Sequence, residues 1–220
     1  MSVALETAAL SERQGPGARR IDPEFFPALR PLCGRLACTR GFDIRLAETA
    51  DHHRVVSTLL RRRYDWRGYN TESISLRPDD PNRLTVAAWQ FDELAATVSV
   101  RRDGADGLQN DALYATELAG LRRPDRVLCE VSRLAVDPDF SCRDLLIALF
   151  QSVVRYAREV FKGSDFVIGV NPRHVGYYQR RFGFRQLGGV QRCQRVNAPV
   201  VLLHCAFDDS DLPAGWLAAI

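Results

Sequence analysis

The sequence predicts an α/β fold in which helices flank a mixed, mostly antiparallel sheet within a single domain. The first observation is composition: 46% of the 220 residues are hydrophobic and 26% are charged, which is typical of a folded globular chain. The second is that β-rich runs alternate with segments of helical periodicity. The third is a pair of β-rich runs separated by a two-residue turn, which predicts antiparallel pairing.

The domain is predicted to occupy residues 42–208. Residues 1–41 read as an N-terminal extension, partly disordered or docked as an arm, because prolines at every fourth position prevent a regular helix. These prolines are Pro23, Pro27 and Pro31. Residues 209–220 are predicted to form a C-terminal tail.

A strand and a helix are expected to begin the domain. Residues 42–46 alternate between apolar and polar side chains, which predicts a strand. Thr49 can then cap a helix that runs to about Tyr64, because its hydroxyl can accept from a free amide of the first turn. The side chains expected on the buried side of this helix are Val55, Val56, Leu59 and Leu60.

A hairpin is predicted next. Residues 84–91 and 94–101 are both β-rich, and Asp92-Glu93 between them indicates a tight turn. Long polar segments lie on either side of the hairpin, and loops of such length are often functional. These segments are 67–81 and 102–124, the second with a short helix at 111–121.

Two helices, each between β-rich runs, make up the second half of the domain. The helix at 142–161 carries an apolar stripe with helical spacing, formed by Leu145, Leu149, Val153, Tyr156 and Val160. In the helix at 172–182, Asn171 stands at the cap and Gly183 just past the end. The predicted strands are 127–136, 165–170 and 200–207.

Charge and cysteine content exclude several function classes. The net charge is only +3, although 29 of the 30 basic residues are arginine, so the chain as a whole is not a generic nucleic-acid binder. The six cysteines and four histidines form no metal-binding spacing, so no metal site is expected. Without an apolar run of transmembrane length or a secretory signal, a cytoplasmic location is predicted.

The chemistry is predicted to lie where the strand at 127–136 leads into the helix at 142–161. A strand, a turn and a helix N-terminus form a nest of outward-pointing amides. Acyl-CoA N-acetyltransferases of the GNAT class hold pyrophosphate at this place with a glycine-rich loop, and the sequence resembles them here. At the two positions where that loop usually has glycine, however, this sequence has Asp144 and Leu146. Leu146 adds bulk, and Asp144 adds negative charge and can pair with Ser141 in a capping box, which disfavours a tight CoA site.

Four further segments resemble the N-acyl amino acid synthase (FeeM-like) family, which is related to the acyl-homoserine lactone synthases. They are Cys129–Asp137, Val170–Val175, Tyr178–Phe184 and Arg195–Pro199. The resemblance covers roughly 42–207. It implies a GNAT-like fold and transfer of a long-chain acyl group from acyl carrier protein to the amine of an amino acid. The donor would be the acyl-phosphopantetheine of the carrier, with acyl-CoA as the alternative, and no cofactor would be bound.

Glu130 and Arg133 belong to the Glu-x-Ser-Arg element shared with the lactone synthases. A carboxylate can take the proton that the acceptor's ammonium group must lose, so Glu130 is the candidate base. Arg133 can hold either that carboxylate or the carboxylate of the substrate. On a regular strand the two side chains face opposite sides, so a shared site requires a β-bulge between or beside them. The alternative is a structural ion pair.

Two more candidate residues belong to the next strand and helix. Asn171 is expected either to cap the helix or to mark the point where two strands separate around the thioester. Tyr178 is the candidate acid for the leaving thiolate, as the resemblance implies for a tyrosine on this helix, although Tyr177 and a packing role remain open. The residues expected to bind the donor are Leu134, Val136, Arg143, Asp144 and Leu145.

Local clusters of arginine suit an acidic partner, and acyl carrier proteins are acidic. Six arginines lie between positions 173 and 195 with no acidic residue among them, and three more are adjacent at 61–63. Acyl carrier protein and a small amino acid or amine are therefore the expected partners, and no nucleic acid is expected. The remaining alternatives are an acyl-CoA-dependent N-acetyltransferase and a non-catalytic module that binds an acyl carrier or a lipid.

Overall fold

An eight-stranded sheet forms the centre of the computed structural model, which describes residues 41–72 and 80–207. The predictions for the N-terminal extension before position 41 and for the C-terminal tail lie outside the described residues. The strands are β1 (Asp43–Leu46), β2 (Arg83–Gln90), β3 (Glu93–Arg102), β4 (Leu128–Val136), β5 (Asp165–Val170), β6 (Arg185–Gln186), β7 (Gln191–Cys193) and β8 (Ala198–Ala206). The helices are α1 (Ala50–Asp65), α2 (Asp111–Ala119), α3 (Arg143–Phe161) and α4 (Val175–Phe182).

The sheet is mixed and mostly antiparallel, as the sequence predicts. Its strands follow the order β1-β2-β3-β4-β5-β8-β6, and β7 pairs with the first residues of β8. Among the described strands only β4 and β5 run parallel, with α3 as the crossover between them. The fold is therefore a single GNAT-like domain in which the one parallel pair lies near the middle of the sheet.

Helices cover both faces of the sheet. The apolar stripe predicted for α3 is buried and packs with β2, β3 and β5 in the largest core cluster. On the opposite face, α1 packs on β2, β3 and β4 through Val56, Leu59 and Leu60, and α2 packs on β5 and β8 through Tyr114 and Leu118. Val55 was expected on the buried side of α1 but is 36% exposed, because the helix turns it away from the sheet.

Several element boundaries differ from the predicted ones because of the local backbone geometry. The β2–β3 turn is Phe91-Asp92 rather than Asp92-Glu93: both turn residues have positive φ, which matches the right-handed twist of a hairpin. The capping box predicted for Ser141 and Asp144 is wrong. A 3₁₀ turn spans Pro138–Phe140, and Ser141 is the residue that ends this turn. Cys142 caps α3 instead, with its Sγ accepting from the Leu145 amide at 3.4 Å.

The helix predicted at 172–182 consists of two parts. A 3₁₀ turn at Pro172–His174 comes first, capped by the Asn171 side chain, and α4 follows. Gly183 ends α4 with a φ of 69°, as expected for a glycine just past a helix. The short strands β6 and β7 were not predicted, because each has only two or three residues and its pairing depends on β8.

The described ranges contain no helix that is long and apolar enough to cross a membrane. Within the same ranges, no cluster of histidine, cysteine and acidic side chains could hold a metal ion. The described cysteines Cys129, Cys142, Cys193 and Cys205 are free thiols.

Candidate active site

A cavity of about 600 Å³ opens where β4 and β5 separate. The two strands are paired from Leu128 with Asp165 to Val131 with Ile168. Beyond this point β4 pairs only with β3, and β5 only with β8. The separation leaves strand edges free to face a ligand, and the cavity has the volume of a typical small-molecule site.

A β-bulge in β4 places Glu130 and Arg133 on the same face of the sheet, as the sequence analysis required. Ser132 pairs with Ser99, but Ala135 pairs with Thr97, so β4 has one more residue than β3 across this step. Arg133 adopts a left-handed backbone conformation with φ of 57°. Because the bulge resets the alternation of side chains, both residues line the cavity.

The Glu130 carboxylate is buried and held by three hydrogen bonds. Its side chain is 1% exposed. Oε1 accepts from the backbone amide of Asn110 at 3.0 Å and from its side-chain Nδ2 at 2.5 Å, and Oε2 accepts from the Gln109 amide at 2.8 Å. A carboxylate oxygen has two acceptor sites, so Oε2 keeps one for a water or an incoming amine.

Burial raises the pKa of Glu130 above its ordinary value, because the ionised form loses solvation. The amides of Gln109 and Asn110 and the charge of Arg195 act in the opposite direction. A carboxylate in this environment is a stronger base than one in water, which suits proton transfer near neutral pH.

Gly169 makes room for the residue that orients Glu130. A Cβ atom at position 169 would lie 2.7 Å from Asn110 Oδ1 and 3.0 Å from a methyl of Val200. Asn110 also stands at the N-cap position of α2, yet its side chain makes no cap and reaches Glu130 instead. Gln109, Asn110 and Gly169 were not predicted as site residues, because nothing in their local pattern reveals a partner that lies 20 or more residues away.

Arg133 makes no ion pair or hydrogen bond with any of the described residues, and its Nη1 is buried without a partner. The orienting contacts of Glu130 therefore come from Gln109 and Asn110. Burial, together with the nearby charges of Arg83 and Arg195, lowers the pKa of Arg133 to about 10. Among the described residues, the guanidinium thus has no carboxylate within ion-pair distance, and Asp80 acts on it only as a more distant charge.

The donor-binding residues predicted from the sequence divide into two groups. Leu134 and Val136 line the cavity. Arg143 and Asp144 are exposed in the first turn of α3. Leu145 is fully buried in the core, and it is the neighbouring Leu146 that faces the cavity.

The tyrosines of α4 and the residues before them form another wall. Tyr178 is buried, with its ring 5.5 Å from that of Phe150, and burial holds its pKa well above the ordinary value. Tyr177 also lines the cavity, and its hydroxyl is buried without a hydrogen-bond partner. Asn171 accepts from the Arg173 amide at 3.3 Å, which is the capping role. His174 accepts from Arg173 Nε at 3.1 Å, and burial together with the Arg173 charge lowers its pKa.

The predicted arginine run divides between surface and cavity. Arg173, Arg180, Arg185 and Arg192 are exposed. Arg195 was assigned to the same basic surface and is also exposed, but it lines the cavity as well, where its charge acts on Glu130 and Arg133. Its position follows from the β7–β8 turn, which brings it back to the open end of the sheet.

The sheet order and the separated parallel pair define a GNAT-like acyltransferase fold. An acyl-CoA N-acyltransferase from Pseudomonas aeruginosa is 14% identical, covers 75% of this chain and 98% of its own, and superposes with a TM-score of 0.52. The AHL synthase LasI is 12% identical, covers 75% of this chain and 90% of its own, and has a TM-score of 0.52. At such identities the likeness concerns the fold alone.

The model of the FeeM N-acyl amino acid synthase family matches residues 55–206, and the chain belongs to this family. FeeM itself, an N-acyl amino acid synthase from uncultured soil microbes, is 28% identical, with a TM-score of 0.69 over 75% of this chain and 91% of its own. No curated protein matches the sequence. The protein is therefore an N-acyltransferase with a GNAT-like fold, and the resemblance found in the sequence is confirmed.

Proposed function

We propose that the protein transfers a long-chain acyl group from the thioester of an acyl carrier protein to the amine of an amino acid. The observation that carries this proposal is the Glu130 carboxylate, buried and held by Gln109 and Asn110 in the wall of the cavity between β4 and β5. An acceptor amine is protonated at neutral pH and must lose a proton before it can attack. Oε2 has the free acceptor site that this transfer requires, directly or through one water.

The reaction is a direct attack without an acyl-enzyme. Glu130 takes one proton from the ammonium group, the nitrogen then forms a bond with the thioester carbon, and the carbon–sulfur bond breaks. The second proton that the nitrogen loses as the amide forms replaces, through water, the proton that the leaving thiolate takes from Tyr178. Tyr178 keeps its proton at neutral pH, because burial raises its pKa, and can give it to the leaving thiolate. Backbone amides of β4 beyond Val131, which no longer pair with β5, can donate to the carbonyl oxygen as charge develops on it.

The walls of the cavity suit a long acyl chain. Apolar side chains from three elements line it: Leu134 and Val136 from β4, Leu146 and Phe150 from α3, and Ile168 and Val170 from β5. An acyl chain laid between the separated strands would contact these side chains and leave water, which is favourable in proportion to the apolar area covered.

Two features favour a carrier protein over CoA as the donor. Leu146 fills the position where a glycine would let the backbone approach a pyrophosphate, and Asp144 adds negative charge to the first turn of α3. The phosphodiester of a carrier needs no such cradle. The exposed arginines at 173, 180, 185 and 192 follow β5 in the sequence and offer charge complementary to an acidic carrier.

Mass spectrometry of lipids from cells that express the protein tests this proposal and names both substrates at once. We expect new N-acyl amino acids in cells with the wild-type chain and a loss of roughly 10²-fold or more with Glu130→Gln, because a general base is removed. Equal amounts of product from the two chains would exclude Glu130 as a chemical participant. The absence of any N-acyl amino acid with the wild type would favour a non-catalytic module that binds the carrier or a lipid.

A further inference from the structure

The bulge in β4 presents an unsatisfied cation to the cavity. Arg133 is partly buried and pairs with no carboxylate of the described residues, and its Nη1 has neither a hydrogen-bond partner nor contact with solvent. An arginine is strongly hydrated when free, so removing it from water without a counter-ion costs stability. Such an arrangement persists in a protein where a ligand supplies the missing anion.

A second polar group without a partner lies beside it. The Ser132 hydroxyl is buried and makes no hydrogen bond with the described residues. Directly paired residues of neighbouring strands point to the same face, and Ser132 pairs with Ser99 just as Glu130 pairs with Arg101. The bulge also turns Arg133 to this face. The side chains of Glu130, Ser132 and Arg133 therefore lie on the same side of the sheet.

The surrounding charges make this part of the cavity favourable for an anion. Arg83 and Arg195 both lie close enough to Arg133 to lower its pKa. Arg83 already has a counter-ion in Asp80 at 3.5 Å, so it adds less net charge than Arg195. Glu130 has its own hydrogen bonds from Gln109 and Asn110, whereas Arg133 has no hydrogen-bond acceptor in the part of the chain that the structure describes.

We propose that Arg133 and Ser132 bind the carboxylate of the acceptor amino acid, so that its ammonium group faces Glu130. This inference rests on the proposed function and adds to it the group that selects the acceptor. The ammonium and carboxylate groups of an amino acid are held a fixed distance apart. Glu130 and Arg133, three residues apart on one strand, offer one group of opposite charge to each of them. A guanidinium can bind a carboxylate through two parallel hydrogen bonds, which would orient the amine as well as hold it.

The proposal predicts selection against acceptors that lack the carboxylate. An amine or a carboxamide leaves Arg133 and Ser132 unsatisfied in a closed complex, and sites built to bind a polar group reject analogues without it by large factors. With the wild-type enzyme we expect the amino acid to exceed both its carboxamide and its decarboxylated amine by about 10²-fold or more in kcat/KM.

The test compares these three acceptors in wild type, Arg133→Gln, Arg133→Lys and Ser132→Ala. Arg133→Gln should lower kcat/KM for the amino acid by about 10²-fold, mainly through KM, and should thereby remove most of the preference for the amino acid over its carboxamide. Arg133→Lys should recover part of this loss, and Ser132→Ala should show a smaller loss of the same kind. Arg155→Gln, an exposed arginine paired with Glu159 on α3, is the matched control and should behave as wild type.

Binding of the product gives a second measurement that needs no turnover. Calorimetry should show that the wild type binds an N-acyl amino acid more tightly than its C-terminal amide and that Arg133→Gln removes the difference. If Arg133→Gln still prefers the carboxylate in both measurements, the inference is wrong while the proposed function stands. If the wild type acylates no amino acid at all and does not bind the product, the proposed function fails instead.

Discussion

Glu130 shows how one side chain acquires a chemical role from its surroundings. A carboxylate on a solvated strand is a weak base, but here the side chain is buried, and two amides from the segment before α2 hold it in place. Burial raises its pKa, and the donated hydrogen bonds keep the ionised form available. The residue thus combines a fixed orientation with increased basicity.

The pH dependence of catalysis should report this carboxylate. Because the pKa of Glu130 is raised, kcat/KM should fall on the acidic side of a pKa above the ordinary glutamate value, as protonation removes the base. Steady-state rates across the acidic range measure this limb. In Glu130→Gln the limb should disappear along with most of the activity, and circular dichroism should confirm that the variant is folded. An unchanged acidic limb in the variant would assign it to another group.

The elements around the cavity act as a unit, because contacts between them fix the catalytic geometry. Gly169 of β5 touches Asn110 at the start of α2, and Asn110 in turn holds Glu130 of β4. Arg62 of α1 pairs with Asp137 just after β4, which fixes the end of α1 beside the cavity. Removing one of these contacts should change the site without removing any group that touches the substrate.

Gly169→Ala tests the contact between β5 and Asn110. The added Cβ would lie 2.7 Å from Asn110 Oδ1, so the amide must move and its hydrogen bond with Glu130 should weaken. We expect kcat to fall by about tenfold while the KM for the acyl donor stays nearly constant, because the donor side of the cavity is untouched. Gly120→Ala, at a site with ordinary spacing to its neighbours, serves as the control. Full activity of Gly169→Ala would show that Asn110 does not position the base.

The sequence was sufficient for the elements whose signals are local. The stripe of α3, the cap at Asn171 and the stop at Gly183 each follow from residue types at fixed spacings. The alternation of side chains required a bulge near Arg133 if Glu130 and Arg133 were to share a site, and the bulge is present. Features that depend on distant contacts could not be predicted this way. Gln109 and Asn110 reach Glu130, and Arg195 reaches the cavity, only because of how the strands assemble.

At the scale of the whole molecule, one buried cluster joins the ends of three strands away from the cavity. Asp165 Oδ1 lies 2.8 Å from His204 Nε2, and Oδ2 accepts from Arg126 Nε at 2.5 Å and from Ser164 Oγ at 2.9 Å. The cluster ties the start of β5 to β8 and to the segment before β4. It therefore holds together the paired ends of the strands that separate at the other end.

The stability of the fold should depend on this cluster in acid. Burial alone would raise the pKa of Asp165, but hydrogen bonds from His204, Arg126 and Ser164 outweigh it and lower the pKa to about 2. The stabilisation, about 2 kcal/mol, is thus present above the unfolded-state pKa of about 4 and is lost as pH falls towards 2. Urea unfolding should show Asp165→Asn less stable than wild type at pH 6, with the gap closing towards pH 2. A gap independent of pH would exclude this origin.

The central claim, acyl transfer from a carrier protein to an amino acid, is tested most directly by steady-state kinetics with purified components. The same acyl chain is offered on acyl carrier protein and on CoA, with one amino acid acceptor, and amide formation is followed by mass spectrometry. We predict N-acyl amino acid from the carrier with a kcat/KM higher by about tenfold or more than from CoA, because Asp144 and Leu146 disfavour the pyrophosphate and the exposed arginines favour the acidic carrier. Equal or better efficiency with acyl-CoA would contradict the account.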